Sequence, residues 1–248
     1  MTSPCWLVTG ANSGIGLAVV RQLLARHTRV VALDLQTEVL RGLACPLLEV
    51  VTCDLMDLGK VEEVFLGLRW PLGVLVNCAG LGGARGLLET RAQDYLALAT
   101  VNLVAPTLCS RLAVEAMLRA GGDERPATGH IINMLSVWAL EAPSREYTHF
   151  YSATKQALRT VAAGLRVELA TRGLAVRVTN ICPGPVETGF NLRAFGAEEA
   201  ERLFGGERGW SRLTAEEVAE EVVRVGSAGG GVHTEEVVLT PLGYSTKM

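Results

Sequence analysis

The amino-acid sequence predicts one α/β domain, a doubly wound parallel sheet of seven strands with helices on both faces. Short apolar runs alternate with longer segments of helical periodicity along all 248 residues, and no linker divides the chain. The runs are hydrophobic almost without interruption, as is typical of parallel strands covered on both faces. Small, polar or turn-forming residues follow each run. This alternation predicts right-handed βαβ units and a ligand at the carboxyl ends of the strands.

Each predicted element rests on its own local pattern. Short, apolar and mostly β-branched runs predict seven strands: WLVTG at 6–10, RVVALD at 29–34, LLEVVTCD at 47–54, GVLVNCAG at 73–80, GHIINML at 129–135, AVRVTNICPG at 175–184 and EVVLTP at 236–241. Longer segments with apolar residues at helical spacing predict five helices, at about 15–26, 58–68, 92–119, 151–172 and 214–226. Glycine-rich segments at 120–129 and 226–232 predict surface loops.

Composition narrows the class of function. The 23 basic and 26 acidic residues give a net charge of −3, aromatic residues make up 5% of the chain, and no basic run is present. This balance argues against nucleic acid or an anionic membrane as a partner. No apolar stretch approaches the roughly 18 residues of a membrane span, and the amino terminus lacks the features of a signal peptide. We therefore expect a cytoplasmic protein.

Cysteine and histidine spacing predicts no metal site. The six cysteines include no C-x-x-C pair, and the four histidines are scattered along the chain. We expect the cysteines to be small buried hydrophobic residues. Neither a zinc site nor a Ser-His-Asp triad has local support.

The segment TGANSGIG, residues 9–16, follows the first predicted strand and contains three glycines. Glycine suits positions of positive φ and positions where a ligand or a second backbone segment comes close to Cα. The segment therefore predicts a turn that leaves space for such a neighbour. The next helix would present free N–H groups and a positive dipole end, which favour a phosphate. The spacing is G-x-x-x-G-x-G rather than G-x-G-x-x-G, and an ordinary tight βα turn is the alternative.

Asp34 ends the second predicted strand, 18 residues beyond Gly16. An acidic side chain at about this distance accepts hydrogen bonds from the adenosine ribose hydroxyls of a dinucleotide. The same carboxylate would repel the 2′-phosphate of NADP, and no Arg or Lys occurs in TGANSGIG or directly after Asp34 to offset it. The pattern favours NAD, and a solvated strand-end aspartate is the alternative.

Tyr151 and Lys155 are four residues apart, so a helix would place them on one face. A phenol has a reference pKa of about 10, too high for a proton acceptor at neutral pH. A neighbouring ammonium, with help from an oxidised nicotinamide, would stabilise the phenolate and lower that pKa. Tyr and Lys occur four residues apart by chance in many helices. The pair alone is therefore a weak signal of a catalytic site, and the neighbouring motifs must be considered.

That context resembles the short-chain dehydrogenase/reductase family. TGANSGIG, NCAG, a serine after strand five, YSATK and PGPVET occur in the family's order and spacing, over roughly residues 4 to 240. The segments GHIINMLS, THFYSATKQAL and PGPVET are most similar to the branch that holds insect farnesol dehydrogenases and vertebrate carbonyl and hydroxysteroid reductases. The resemblance implies a single-domain Rossmann fold over residues 1–248 and the interconversion of an alcohol and a carbonyl.

The resemblance also implies roles for four catalytic residues. Tyr151 would be the general acid/base. Lys155 would lower the pKa of Tyr151 and bind the nicotinamide ribose. Ser136 would hydrogen-bond the substrate oxygen, where charge changes most in the transition state. Asn102 would hold a water in a proton relay from Lys155 to solvent.

Further residues match the family's cofactor site. Gly10, Ser13, Ile15 and Gly16 would hold the pyrophosphate, and Asp54 the adenine amino group. Asn77, Ala79 and Gly80 would line the adenosine side, and Val186 and Thr188 would meet the carboxamide. The expected set is completed by Asn12, Gly14, Asp34, Leu35, Cys53, Leu55, Cys78, Tyr151, Lys155, Pro183 and Gly184.

The chain departs from the family's pattern in several places. The fourth strand ends in Asn77-Cys78-Ala79-Gly80 where the family usually has N-N-A-G, and Ser136 is the one serine available after strand five. The branch mostly uses NADP, whereas Asp34 argues for NAD. We follow Asp34, because its charge argument is local to this sequence, and an NADP-dependent carbonyl reductase is the alternative.

The substrate region is expected to be apolar. Residues 187–212 lie where the family keeps a mobile substrate loop, and Phe190 belongs to it. Trp138 and Tyr147 would form the opposite wall, and Ser136 and Tyr151 complete the expected substrate set. Such walls suit a steroid, isoprenoid or aromatic alcohol or ketone. Packing of the loop onto the body of the protein is the alternative.

Two further expectations concern partners and rival functions. The predicted helices 92–119 and 151–172 have extra apolar positions, namely Leu108, Leu112, Val161, Leu165 and Leu169. They suggest a homodimer or homotetramer, with helix-on-sheet burial as the alternative. A catalytically silent NAD-binding, redox-sensing protein would keep the glycine turn without needing the four catalytic residues. A sugar-nucleotide epimerase would need a larger carboxyl-terminal domain than 248 residues allow.

Overall fold

A computed structural model of the chain describes residues 4–83, 86–121, 128–143, 148–204, 211–229 and 231–244. The strands are β1 Cys5–Thr9, β2 Val30–Asp34, β3 Leu48–Thr52, β4 Leu72–Asn77, β5 Thr128–Met134, β6 Ala175–Pro183, β7 Val186–Glu187, β8 Leu213–Thr214 and β9 Glu236–Leu239. Seven of them form one parallel sheet in the order β3-β2-β1-β4-β5-β6-β9. The predicted seven-stranded fold is confirmed, and β7 and β8 form a small parallel pair that was not predicted.

The helices lie between the strands as expected, with differences in detail. They are α1 Gly14–Ala25, α2 Glu38–Arg41, α3 Leu58–Leu66, α4 Ala92–Ala99, α5 Ala105–Gly121, α6 His149–Thr171, α7 Phe190–Phe195, α8 Ala197–Phe204 and α9 Ala215–Gly226. The predicted helix 92–119 is interrupted by a π-helical segment, Thr100–Val104. The short helices α2, α7 and α8 were not predicted, and α7 and α8 lie within the predicted substrate loop.

Two apolar layers enclose the sheet. On one face, α1 and α9 bury residues such as Val19, Leu23 and Val222. On the other face, residues such as Phe65 of α3 and Met117 of α5 pack against the strands. Because both faces are covered, a ligand can reach the sheet only at the ends of the strands.

The outer helices use much of their apolar surface within the chain. Leu112 and Leu169 are buried, and Leu108 and Leu165 pack against the same core. Helix-on-sheet burial accounts for these four positions, Val161 is half-buried outside this core, and assembly into an oligomer stays a prediction. By length and composition the stretch Ala92–Ala120 could cross a membrane, contrary to the expectation above, but 44% of its most apolar window is buried within the fold.

The cysteines agree with the expectation of small hydrophobic residues. All six are unpaired, and four of them are buried. Burial raises the pKa of the Cys5, Cys109 and Cys182 thiols to about 12. Among the described residues, no group of three or more His, Cys, Asp or Glu side chains could hold a metal ion.

Candidate active site

A cavity of about 1040 Å³ lies along the carboxyl ends of the strands. The crevice opens where the strand order reverses between β1 and β4, which is the usual ligand site of an open parallel sheet. Every predicted cofactor residue except Asn77 lines it: Gly10, Asn12, Ser13, Gly14, Ile15, Gly16, Asp34, Leu35, Cys53, Asp54, Leu55, Cys78, Ala79, Gly80, Tyr151, Lys155, Pro183, Gly184, Val186 and Thr188. The cavity also brings in Ser136, Trp138 and Phe190.

The glycine turn is packed tightly against the end of β4. Gly10 has φ +65°, and a Cβ there would lie 2.7 Å from the Ala79 Cα. A Cβ on Gly16 would lie 2.1 Å from the Gly10 carbonyl oxygen. Thus the room made by two of the glycines is filled by the chain itself, as the alternative of a tight βα turn requires. The turn still aims the N-terminus of α1 into the cavity, and the Ser13 side chain does not cap that helix. Its first N–H groups therefore suit an anion.

Asp34 is held in a fixed orientation at the end of β2. Its Oδ2 accepts the backbone N–H of Asn12 at 2.9 Å, and its Oδ1 accepts that of Gln36 at 3.2 Å. A carboxylate oxygen has two lone pairs, so each oxygen can accept a further hydrogen bond. The Asn12 side chain in turn accepts the N–H of Leu40 at 3.1 Å. The site residues therefore fit the ribose of a dinucleotide.

Ser136 and Tyr151 meet at the other end of the cavity. Ser136 begins the 3-10 turn Val137–Ala139, where its Oγ accepts the Trp138 N–H at 3.2 Å. Tyr151, near the start of α6, is buried, and its ring lies 6.1 Å from the Trp138 ring and 5.8 Å from the Phe190 ring. Burial raises the pKa of Tyr151, and a hydrogen bond from Ser136 opposes that rise. The phenol is therefore a proton donor at neutral pH.

Lys155 lies one turn along α6 and is 4% exposed. Its Nζ donates to the Met134 carbonyl oxygen at 2.8 Å and lies 5.7 Å from the centroid of the Tyr151 ring. Burial lowers the pKa of Lys155 to about 8. Burial has the largest effect on the pKa of both groups in the protein alone, and the expectation that Lys155 lowers the pKa of Tyr151 beside an oxidised nicotinamide stays a prediction.

Asn102 does not line the cavity but lies directly behind it, in the π-helical segment. Its Oδ1 accepts the Leu81 N–H at 2.8 Å, and its Nδ2 donates to the Leu81 carbonyl at 2.9 Å and to the Thr154 hydroxyl at 3.2 Å. The Thr154 hydroxyl donates to the Tyr151 carbonyl at 2.7 Å. Asn102 thus ties the segment after β4 to the turn of α6 that carries Tyr151.

Asn77 is the one expected cofactor residue that the cavity does not include. Its Nδ2 donates to the Pro106 carbonyl, the Ser110 hydroxyl and the Asn133 side chain at 3.3, 3.2 and 2.9 Å. Asn133 donates in turn to Asn180, its neighbour in β6, at 3.3 Å. Asn77 therefore links β4 to β5 and to α5 beneath the site. Side chains alternate between the two faces of a strand, and that of Asn77 lies on the face covered by α5.

Several residues line the cavity without having been predicted: Gln36, Met56, Leu81, Pro143, Asn191, Arg193, Gly243 and Tyr244. Arg193 is notable because its Nη2 donates to the Ser13 Oγ at 3.3 Å across 180 residues of sequence. Its position in the segment after PGPVET is the one sequence signal that could have indicated it. Tyr147, expected in the substrate wall, lies outside the described residues.

These features define a class of protein. A crevice at the reversal of a parallel sheet, an uncapped helix N-terminus, a strand-end acid and a buried Ser–Tyr–Lys group are typical of nicotinamide-dependent oxidoreductases. The family model for short chain dehydrogenases matches residues 4–198. The chain belongs to this family, whose members are oxidoreductases that bind a nicotinamide cofactor.

Individual relatives agree with the branch that the sequence resembles. Dehydrogenase/reductase SDR family member 11 of Gallus gallus is 31% identical over 246 residues, which cover 95% of this chain and 94% of the relative. Farnesol dehydrogenase of Aedes aegypti is 29% identical over 248 residues, covering 96% and 95%.

Solved structures show the same architecture. The closed form of serine dehydrogenase complexed with NADP⁺ has a TM-score of 0.84 at 29% identity, covering 97% of this chain and 96% of that one. A 4-hydroxyisoleucine dehydrogenase complexed with NADH has a TM-score of 0.81 at 22% identity, covering 96% and 97%, and supports the fold.

Proposed function

We propose that the protein is an NAD-dependent enzyme that interconverts a secondary alcohol and a carbonyl on an apolar substrate. One observation carries the proposal: Ser136, Tyr151 and Lys155 converge on the wall of a cavity that also receives the N-terminus of α1 and Asp34. A catalytically silent NAD-binding protein would need the N-terminus of α1 and Asp34. It would not need Ser136, Tyr151 and Lys155.

Tyr151 is proposed to move the proton. In carbonyl reduction its protonated phenol donates to the substrate oxygen, and Ser136 hydrogen-bonds the same oxygen as negative charge develops there. Bound beside them, a nicotinamide would supply the hydride chemistry and, when oxidised, a positive charge. For alcohol oxidation Tyr151 must first lose its proton, so higher pH favours this direction.

Lys155 and Asn102 support this step. The Lys155 ammonium is held by the Met134 carbonyl, near enough to the Tyr151 ring to favour phenolate once the site is loaded. We propose that it also binds the nicotinamide ribose. Asn102 has its side chain committed to Leu81 and Thr154, so we assign it the positioning of α6, besides the proton relay implied by the family.

The choice of NAD rests on Asp34. Two backbone N–H groups fix its carboxylate, which would lie where NADP carries its 2′-phosphate. The serine dehydrogenase complexed with NADP⁺ is 29% identical to this chain, and this similarity supports NADP dependence as the alternative. The two cofactors must therefore be compared directly.

The substrate is proposed to be neutral and apolar. Trp138 and Phe190 flank Tyr151, and Leu81 and Pro143 line the same cavity. Apolar walls with a few polar groups suit a steroid, isoprenoid or aromatic carbonyl. The similarity to farnesol dehydrogenase favours the same class. Residues 187–212, which include α7 and α8, would form the substrate loop.

A panel of alcohols tests the proposal. Steroid, retinoid, isoprenoid and sugar alcohols are supplied with NAD or NADP, and absorbance of the reduced cofactor is followed. We expect turnover with an apolar alcohol and NAD and none with sugar alcohols. Cofactor binding without turnover on any apolar alcohol or ketone would favour the silent, redox-sensing protein, and turnover with NADP alone would favour the reductase.

A further inference from the structure

Arg193 reaches from α7 to the glycine turn. Its Nη2 donates to the Ser13 Oγ at 3.3 Å, and both residues line the cavity. Ser13 immediately precedes α1, so the guanidinium lies beside the N–H groups that begin this helix. An exposed positive side chain thus stands next to a positive helix end, an arrangement in which both could bind the same anion.

The local backbone makes room for this arrangement. A Cβ on Gly189 would lie 2.7 Å from the Arg193 Nη1, so a side chain there would meet the guanidinium. The Arg193 N–H bonds the Gly189 carbonyl at 3.0 Å, which keeps the two residues on one turn of α7. The same helix places Phe190 5.8 Å from the Tyr151 ring. Therefore α7 touches the glycine turn with one side chain and the proton-transfer group with another.

The charges in the cavity single out Arg193. Among the described residues, the charged side chains that line it are Asp34, Asp54, Lys155 and Arg193. Lys155 is bound to the Met134 carbonyl at the far end. Arg193 forms no ion pair with any carboxylate in the part of the chain that the structure describes. Among the described residues, the guanidinium of Arg193 forms one hydrogen bond, to the neutral Ser13 hydroxyl. Such a bond is weaker than a hydrogen bond to an anion.

We propose that Arg193 binds the diphosphate of the dinucleotide. The inference rests on the proposed function, since it requires a dinucleotide in the cavity. The guanidinium and the N-terminus of α1 would both donate hydrogen bonds to the diphosphate, and the hydrogen bond to Ser13 positions Arg193 before the cofactor binds. The same helix carries Phe190 at the substrate end, so α7 would contribute one side chain to the cofactor site and another to the apolar wall.

Binding measurements on two variants test this role without any turnover. Arg193→Gln removes the charge, and Arg21→Gln removes an exposed arginine of α1 outside the cavity lining as the matched control. NADH and NADPH are titrated by fluorescence, and ADP and adenosine by competition. We expect Arg193→Gln to weaken NADH, NADPH and ADP about 10- to 100-fold, the range of a charge-assisted hydrogen bond, and to leave adenosine unchanged. Arg193→Lys should restore part of the affinity, and Arg21→Gln should match wild type.

Three results would overturn the inference while leaving the proposed function intact. They are unchanged NADH affinity in Arg193→Gln, an equal loss for adenosine, and a loss confined to NADPH, which would assign Arg193 to the 2′-phosphate. Wild-type protein that binds neither NADH nor NADPH would instead overturn the proposed function, and this inference with it. Thermal unfolding of each variant confirms that the fold is retained.

Discussion

Two buried basic side chains, in different parts of the molecule, carry perturbed pKa values with different consequences. Lys155 lies at the carboxyl end of the sheet and lines the cavity, whereas His130 lies near the start of β5 and is 1% exposed. Burial disfavours the charged form of each, lowering the pKa of Lys155 to about 8 and that of His130 to about 3. The direction and the cause are the same in both.

The difference lies in what each group faces. Lys155 faces Tyr151 and open space for a ligand. The Nε2 of His130 is hydrogen-bonded to the Thr179 hydroxyl at 2.7 Å, and the charges of Arg177 and His233 add to burial in disfavouring its protonation. A perturbed pKa therefore indicates a functional site only where a substrate can reach the group. The expectation is that Lys155 governs catalysis and His130 governs stability.

Replacing Lys155 should produce the largest effect on the catalytic side of this comparison. Lys155→Met removes the ammonium beside Tyr151 and the proposed ribose contact, so turnover should fall about 10²- to 10⁴-fold and NADH should bind more weakly. Steady-state kinetics and NADH titration measure the two losses. Lys60→Met, at an exposed lysine paired with Glu63, is the control. Unchanged NADH affinity in Lys155→Met would remove the ribose contact from the account.

Asp34 should have the next largest effect, on cofactor choice. Wild type should prefer NAD by at least about a hundredfold in kcat/KM, because charge-assisted bonds to the ribose are lost and phosphate is repelled when NADP binds. Asp34→Ala should weaken NAD and relieve the penalty on NADP, and adding Leu35→Arg should shift the preference further. Glu38→Ala, an exposed carboxylate outside the cavity lining, is the control. Equal wild-type efficiency with both cofactors would assign Asp34 a purely structural role.

His130 should produce the smallest of these effects, and on stability alone. Its pKa is about 3 in the fold against 6.5 as the ordinary value, so between these pH values the unfolded chain binds a proton that the fold does not. Stability should therefore fall as pH drops from 6.5 toward 3, by about 2 kcal/mol at pH 5.

Denaturant unfolding of His130→Gln from pH 7 to 5 measures this contribution. The variant should lose part of the wild-type slope, while His149→Gln, at an exposed histidine, should keep it. Identical slopes in His130→Gln and wild type would mean that His130 does not set the acid sensitivity.

The sequence predicted the sheet and most of the cavity lining for a physical reason. In a buried parallel sheet polar side chains are tolerated at strand ends, so Asp34, Asp54 and Ser136 could be placed by locating where each apolar run stops. The catalytic spacing on α6 followed from helical periodicity.

What the sequence did not predict depends on tertiary contacts. Residues 187–212 were assigned to a substrate loop from the family resemblance, so α7 and α8 within that segment were not predicted. The contact between Arg193 and Ser13 joins residues 180 positions apart, so no local pattern contains it. The rise in the pKa of Tyr151 could not be read from its spacing to Lys155, because desolvation depends on how the folded chain encloses the phenol. The hydrogen bonds of Asn77 to Pro106, Ser110 and Asn133 likewise join residues far apart in the sequence, so its place outside the cavity lining could not be predicted from the NCAG motif.

Replacing Tyr151 by Phe tests the central claim most directly, that the cavity-facing phenol transfers the proton. Tyr151→Phe should keep NADH affinity and the fold yet lose about 10²- to 10⁴-fold in turnover, because the substitution removes only the hydroxyl. Tyr95→Phe removes a hydroxyl that bonds the Leu87 carbonyl outside the cavity and should retain wild-type turnover. A Tyr151→Phe enzyme with normal NADH binding and more than about a tenth of wild-type turnover would contradict the account.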